Sequence, residues 1–268
     1  MPTLRRPRLD LWLVARGLAD SREKAQALVM AGRVRVNGQA ATKAGAPVRD
    51  DATVEVIAGP AHVGRGALKL EGALAAFQID PQGRVAVDVG ASTGGFTEVL
   101  LAHGATRVYA VDVGRGQIHE RLRADARVVV LDGVNARYLS ASEIPEPCAL
   151  ATMDVSFISV LKILPALRAV LAPEADLLVL VKPQFELARR DVGRGGIVKD
   201  PALHRQALET VAQGAQSDLG YTLNAACASP ITGADGNREF FLHLQITGSA
   251  LPDAARERMI ATASQPRT

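Results

Sequence analysis

Five short apolar runs recur at close intervals in the middle of this chain, at residues 85–87, 107–111, 128–131, 150–153 and 177–181. They are rich in Val, Leu and Ala and too short to be helices. Helix-patterned stretches lie between them, around 97–103, 116–124 and 160–171. Apolar strands that alternate with helices must be buried on both faces. That requires a mostly parallel sheet with helices packed on either side. A long helix over 203–219 then leads to two last strands, 222–228 and 239–246, joined by the polar loop SPITGADGN. The expected fold class is α/β, with a mostly parallel seven-stranded sheet.

A separate unit precedes this body. Leu9, Leu11, Leu13, Val14 and Leu18 predict a short amphipathic helix ending near Gly17, and Ser21 is placed to cap a second helix that stops at Gly32. Residues 33–37, RVRVN, alternate polar and apolar side chains; Gly38 turns the chain, and 53–57 reads as another short strand. This predicts a small α+β domain over residues 1–57. Residues 58–66, AGPAHVGRG, read as a linker, 67–250 as the large domain and 251–268 as a weakly ordered tail.

Charge divides along the same line. Residues 1–66 hold 11 Lys and Arg against 6 Asp and Glu, a net of +5, whereas the remainder has a net of −2. A basic module on a nearly neutral body suits polyanion binding, although a merely solvated basic surface has the same signature. With 48% apolar and 22% charged residues the chain is globular rather than disordered. No apolar run approaches the ~20 residues of a membrane span. The basic N-terminus is not followed by the apolar stretch of a secretory signal. Cys148 and Cys227 lack ligand-spaced partners, so reduced thiols in a cytoplasmic monomer, without a metal site, are expected.

The segment DVGASTGGF follows the first strand of the body and opens a helix. Asp88, Gly90, Ala91, Ser92, Thr93, Gly94, Gly95 and Phe96 form the expected cofactor loop, the glycines letting backbone lie close to a ligand. Their spacing is G-x-x-x-G-G, not the G-x-G-x-x-G of dinucleotide binders. This favours S-adenosylmethionine, with the Asp88 carboxylate near the ligand's ammonium. Asp112 ends the second strand, where an acid accepts from ribose hydroxyls, with Val113 beside it; Asp132 ends the third, near the adenine. Strand-end logic alone leaves a nicotinamide dinucleotide open.

Asp154 ends the fourth strand and Lys182 the fifth. A lysine that closes an apolar strand before a proline is not placed for solvation. It either braces two loops by an ion pair with Asp154 or activates a substrate. Methyl transfer to a hydroxyl needs the oxygen oriented and relieved of its proton, and a lysine can serve either need. Lys69, in GRGALKL, is a candidate neighbouring cation, and Glu239 a candidate anchor for the lysines. Taken singly, Lys69 and Glu239 read equally well as exposed side chains of a helix and a strand.

In order along the chain, these segments resemble the TlyA family of bacterial ribosomal RNA methyltransferases, often labelled haemolysin A. Residues 8–38, RLDLWLVARGLADSREKAQALVMAGRVRVNG, resemble the S-four RNA-binding domain. The body is similar to FtsJ-type ribose methyltransferases through GRGALKLEGAL, DVGASTGGFTEVLL, VYAVDVGRGQ, DVSFIS, VKPQFE, GRGGIVKD and SPITGADGNREFF. The resemblance implies a Rossmann-like methyltransferase domain using S-adenosyl-L-methionine. It carries a Lys-Asp-Lys-Glu tetrad onto Lys69, Asp154, Lys182 and Glu239, with Lys182 activating the ribose 2′-hydroxyl of cytidine. Ribosomal RNA, or a ribosomal subunit, is then the partner. Family members often have an aromatic and a serine where His62 and Gly64 stand, and Gly133 lacks the family's bulky polar group.

A basic module of this kind binds RNA through phosphates and shape. Its expected contacts are Arg5, Arg6, Arg8, Arg22, Lys24, Arg33 and Arg35, with Arg65 in the linker. Arg189 and Arg190 open a Gly-rich loop, also holding Arg194 and Lys199, that reads as a mobile substrate flap. At 4% aromatic content, a base-stacking platform is not expected. Two other functions stay open at this level: a non-catalytic RNA-binding assembly factor and a membrane-lytic haemolysin.

Overall fold

A computed structural model of the chain describes residues 6–30, 32–49, 51–57, 62–233, 235–248 and 251–265, apart from the side chain of Arg194. The chain forms two compact units, Met1–Leu68 and Lys69–Thr268.

In the first unit, α1 (Leu9–Ala15) and α2 (Arg22–Met30) precede β1 (Val34–Val36), β2 (Gln39–Ala40) and β3 (Val54–Val56). The strands form an antiparallel sheet of order β2-β1-β3. Asn37 and Gly38 both have positive φ, 51° and 77°, and bring Val36 opposite Gln39. Two left-handed residues in succession make the tight turn whose twist matches a hairpin, and Asn-Gly is the pair best suited to it. Ser21 caps α2 by accepting from the Lys24 amide at 3.2 Å. Leu9, Trp12, Leu13, Ala25, Val29, Val34 and Val48 form the core.

The second unit continues α3 (Gly66–Phe77) into β4 (Val85–Val89), α4 (Gly95–Ala102), β5 (Arg107–Asp112), α5 (Glu120–Arg123), β6 (Val128–Asp132) and β7 (Cys148–Met153). Then follow α6 (Leu164–Leu167), β8 (Leu171–Val181), α7 (Pro183–Glu186), α8 (Pro201–Ser217), β9 (Thr222–Ala228), β10 (Phe240–Gln245) and α9 (Asp253–Ser264). The seven strands run in the order β6-β5-β4-β7-β8-β10-β9. β10 is antiparallel to both neighbours, and the β4–β8 pairings are parallel. The order reverses at β4, so the carboxyl ends of β4, β5 and β7 diverge around a crevice. Open α/β sheets bind ligands there.

Three expectations need correction. The helix placed over 116–124 shrinks to α5, because Asp112 and Asp132 capture the amides of Gly114 and Gly116 and hold that stretch as a loop. The helix placed over 160–171 is a single 3-10 turn, Val160–Lys162, followed by α6 with Pro165 in its first turn. Proline cannot supply the amide an uninterrupted helix needs. The tail expected to be weakly ordered forms α9, with Ile260 fully buried and Arg256 paired to Asp253 at 2.8 Å. Its apolar positions are interleaved with Arg and Glu, which conceals the pattern. Among the described residues no helix is long and apolar enough to cross a membrane.

Candidate active site

The loop between β4 and α4 turns on residues that only glycine suits. Gly90 has φ 81°, and a Cβ there would strike the backbone carbonyl oxygen of Asp154. Gly94 has φ 97° and begins α4; a Cβ there would strike Leu122. Ser92 adopts φ 49° and, with Thr93, is exposed, whereas Ala91, Gly94 and Gly95 are buried. The loop is a tight turn at the carboxyl end of β4, its exposed side chains those of Ser92 and Thr93.

Two residues expected to contact the cofactor face inward instead. Phe96 is buried and packs on Phe241, with ring centroids 6.1 Å apart. The Asp88 carboxylate is wholly buried: Oδ2 accepts from the Thr97 hydroxyl at 2.7 Å and Oδ1 from Thr152 at 2.9 Å. Burial raises its pKa to about 6, against the lowering effect of the threonine hydroxyls. Asp88 therefore ties the start of α4 to β7 from beneath the loop rather than presenting charge to the crevice.

Asp112 and Asp132 end β5 and β6 as directly paired residues, so two carboxylates stand side by side at the sheet edge. Asp112 accepts from the amides of Ser92 and Gly114 at 2.8 and 2.7 Å. Asp132 accepts from Arg123 at 2.8 Å, which holds its carboxyl below the ordinary range. Val113 is 71% exposed beside Asp112, an apolar side chain left open to the crevice edge. At Gly133, where a Cβ would lie 2.9 Å from Arg115 Nε, the Arg115 guanidinium takes the space a side chain would fill.

Lys69, Asp154, Lys182 and Glu239 come together although they lie on four separate elements. Asp154 is central: its Oδ1 is 2.5 Å from Lys182 Nζ and its Oδ2 3.6 Å from Lys69 Nζ. Lys69 Nζ is also 2.7 Å from Glu239 Oε2. Both lysines and Glu239 are buried, so neither Lys69 nor Glu239 is the exposed surface residue it resembled in sequence. Two ammonium and two carboxylate groups in alternation balance their charge, which lets three of the four be buried around the partly exposed Asp154. Gly233 allows the approach of Glu239, since a Cβ there would lie 2.5 Å from Oε1.

Sequence reasoning missed the groups that brace this tetrad. Beyond the Asp154–Lys182 ion pair, further links join the loop after β7 to the segment after β8. Lys182 Nζ donates to Ser156 Oγ at 3.0 Å, the Phe157 and Phe185 rings lie 5.1 Å apart, and Ser159 donates to Glu186 Oε2 at 2.6 Å. Phe157 is 90% exposed and takes φ 65°, a conformation L-residues seldom adopt. An exposed aromatic thus stands at the site despite the low aromatic content. Burial raises the pKa of Glu186, which also accepts from the Val160 amide. The only sequence signal was the pair of serines in DVSFIS. The Gly-rich loop expected as a mobile flap has Arg189 and Arg190 exposed, but its far end is anchored. Asn237 accepts from the Val198 amide and donates to the Gly196 carbonyl, each at 2.9 Å.

In the first unit the basic side chains divide into two sets. Arg8 grips the buried carboxylate of Asp10 with two bonds, 3.0 and 2.8 Å, and Arg22 adds a third at 3.2 Å. Gln26 and the Leu11 amide complete the shell. Foremost through the Arg8 bonds, Asp10 is held well below the ordinary carboxylate range despite its burial. Lys24 pairs with Asp20 at 2.6 Å, Arg33 donates to the Ile57 carbonyl and Arg65 to the Thr42 carbonyl. Arg6 and Arg35 are exposed; Arg5 lies outside the described residues.

Comparison with known proteins agrees with this division. A model of the FtsJ-like methyltransferase family matches residues 62–246 and one of the S4 domain residues 7–54. The chain is 48% identical to a Mycobacterium tuberculosis protein named 16S/23S rRNA (cytidine-2'-O)-methyltransferase TlyA, over 90% of each chain. It is 40% identical to Hemolysin A of Brachyspira hyodysenteriae, over 89% of this chain and all of that one. A solved structure from Streptococcus thermophilus that carries a hemolysin name superposes with a TM-score of 0.73 at 39% identity, covering 97% of this chain and 96% of that one. The α/β body, its matched family model and relatives alike along nearly the whole chain place this protein in the FtsJ-like methyltransferase family, with an S4 domain at its N-terminus.

Proposed function

We propose that this chain methylates the ribose 2′-hydroxyl of cytidine in ribosomal RNA, using S-adenosylmethionine, with its S4 domain holding the RNA. The observation that carries the reading is the buried tetrad, in which Asp154 stands between the amino groups of Lys69 and Lys182. The substrate follows the name of the M. tuberculosis relative.

The residues present fit the cofactor. Glycine at 90 and at 94, where a Cβ would strike Asp154 and Leu122, lets the loop turn tightly at the end of β4, and the paired Asp112 and Asp132 offer acceptors at the neighbouring strand ends. The bound cofactor supplies an electrophilic methyl group. Lys182 donates toward the acceptor oxygen and orients it. The oxygen takes the methyl group in place of its proton, which passes to solvent water, and the ammonium stabilises the partial negative charge on the oxygen as the O–H bond breaks. Asp154 fixes Lys182, and Glu239 fixes Lys69, so neither lysine has to be ordered when substrate arrives. Arg6 and Arg35 meet phosphates, while Arg8 and Arg22 do so from positions set by Asp10.

Transfer of labelled methyl to ribosomal RNA tests the reading. Lys182→Ala is expected to lower the rate by about 10³-fold or more, with cofactor affinity by calorimetry little changed. Activity retained by that variant would sink the assignment. Mapping 2′-O-methyl sites in ribosomal RNA from cells with and without the protein identifies the nucleotide.

A further inference from the structure

Lys182 is held by two groups, and only one belongs to the tetrad. A lysine ammonium has three N–H bonds in fixed tetrahedral directions. One is donated to Ser156 Oγ at 3.0 Å, whereas the Asp154 carboxylate lies 2.5 Å from Nζ as an ion pair. With the lysine stem buried, rotation about the Cε–Nζ bond is the freedom left to the ammonium. A charge contact alone leaves that rotation soft. The directed bond to Ser156 fixes it, and with it the second and third N–H directions. The Ser156 hydroxyl accepts from Lys182, which leaves its own O–H unspent, and the residue is exposed whereas Lys182 is 92% covered.

We propose that Ser156 is a positioning residue of the methyl-transfer site. It fixes the rotation of the Lys182 ammonium so that the third N–H meets the acceptor hydroxyl, and it turns its own O–H toward an oxygen of the acceptor nucleotide's ribose or phosphate. This rests on the reading of Lys182 given above. The loop that carries Ser156 does not depend on this bond for its shape, because Phe157 on Phe185 and Ser159 on Glu186 hold it independently. A Ser156→Ala variant therefore keeps its fold while losing the link.

The test is single-turnover methyl transfer to ribosomal RNA by the full chain, comparing wild type, Ser156→Ala, Ser156→Thr and Lys182→Ala, with cofactor affinity measured for each. Displacing a reacting group by a fraction of an ångström to an ångström costs about 10- to 100-fold, and Ser156→Ala is expected to lose that much in rate at unchanged cofactor affinity. Ser156→Thr, which keeps the hydroxyl, restores the rate to within about threefold of wild type by the same positional argument. A Ser156→Ala rate equal to wild type, or a threonine variant as slow as the alanine one, overturns the proposal while leaving the tetrad reading intact. Undiminished transfer by Lys182→Ala overturns both.

Discussion

Asp10 in the S4 domain and Asp88 in the methyltransferase domain are both fully buried, yet the protein drives them in opposite directions. Asp10 is gripped by two guanidinium groups and an amide and is held ionised; Asp88 is held by two threonine hydroxyls and pushed up to about 6. Burial raises the pKa of any carboxyl. Whether that tendency wins depends on the charge of the partners. The contrast separates the tasks of the two regions. In the S4 domain a buried anion arranges cations, Arg8 and Arg22, whose side chains remain about half exposed, at 47% and 52%. In the catalytic domain burial disfavours the charge on Asp88, and the carboxyl clamps two backbone elements through threonine hydroxyls rather than arranging cations around itself.

The largest way to break the contrast is to remove the anion that organises cations. Asp10→Ala strands Arg8, Arg22 and Gln26 around an empty site. Losing one member of a buried, hydrogen-bonded ion cluster costs about 3 kcal/mol or more; the exposed guanidinium ends resolvate in part, so the low end applies. The S4 domain should melt earlier while the methyltransferase domain is unmoved, and RNA affinity should fall with it. Because the folded pKa is depressed, this stabilisation is present above the ordinary value of 3.8 and disappears as pH falls through the lower folded value. Differential scanning calorimetry from neutral pH to pH 2 should show an S4-domain transition that weakens in acid, and Asp10→Ala should abolish that dependence.

Asp88 should behave in the opposite sense. Its folded pKa of about 6 lies above the ordinary 3.8, so the favourable state is the protonated one. The stability it contributes is complete below about 4 and is lost as pH rises to about 6, a change on the order of 2 to 3 kcal/mol. Asp88→Asn keeps a partner for each threonine and cannot ionise. Its methyltransferase domain should lack the fall between pH 4 and pH 6 and be the more stable of the two at pH 7. A wild-type domain whose melting is flat across that window would show that the threonines, not burial, dominate.

Much of the catalytic region was legible in sequence because its signals are local. Gly90 and Gly94 announce a turn, and Asp112, Asp132, Asp154 and Lys182 each close an apolar run, so periodicity alone places them at one sheet edge. What escaped depends on partners distant in the chain. Asp88 meets Thr152, 64 positions away, and nothing near DVGASTGGF tells a carboxylate that faces a ligand from one that faces inward. Phe96 fails for the same reason: its partner Phe241 belongs to the last strand. Arg8 and Arg22 were expected at RNA phosphates; that both also bond Asp10 is set by the fold, since Arg22 reaches it from 12 positions away. The turn at Gly38 and the Ser21 cap were read correctly because each is settled within four residues, although Asn37, placed at the end of the strand, belongs to the turn as well. Pro165 was local too, and was outweighed by apolar periodicity that a fixed imino ring cannot follow.

The smallest predicted effect concerns which arginines of the S4 domain serve RNA alone. Arg35 is exposed on β1, opposite Glu55 in the strand register. A cross-strand charge pair on an open face contributes a few tenths of a kcal/mol at most. Arg35→Gln should therefore leave melting within about 0.5 kcal/mol of wild type. If Arg35 neutralises one phosphate, the slope of log affinity against log salt should fall by about one, with binding weakened only severalfold at moderate salt. Arg8→Gln should produce the same loss of slope together with a clear loss of S4-domain stability, because it also deprives Asp10 of its principal partner. Fluorescence anisotropy titrations at a series of salt concentrations, paired with melts of each variant, separate the two. Equal stability for Arg8→Gln and Arg35→Gln would mean that Asp10 does not depend on Arg8, and the opposition between an aspartate that organises cations and one whose charge burial disfavours would lose its first half.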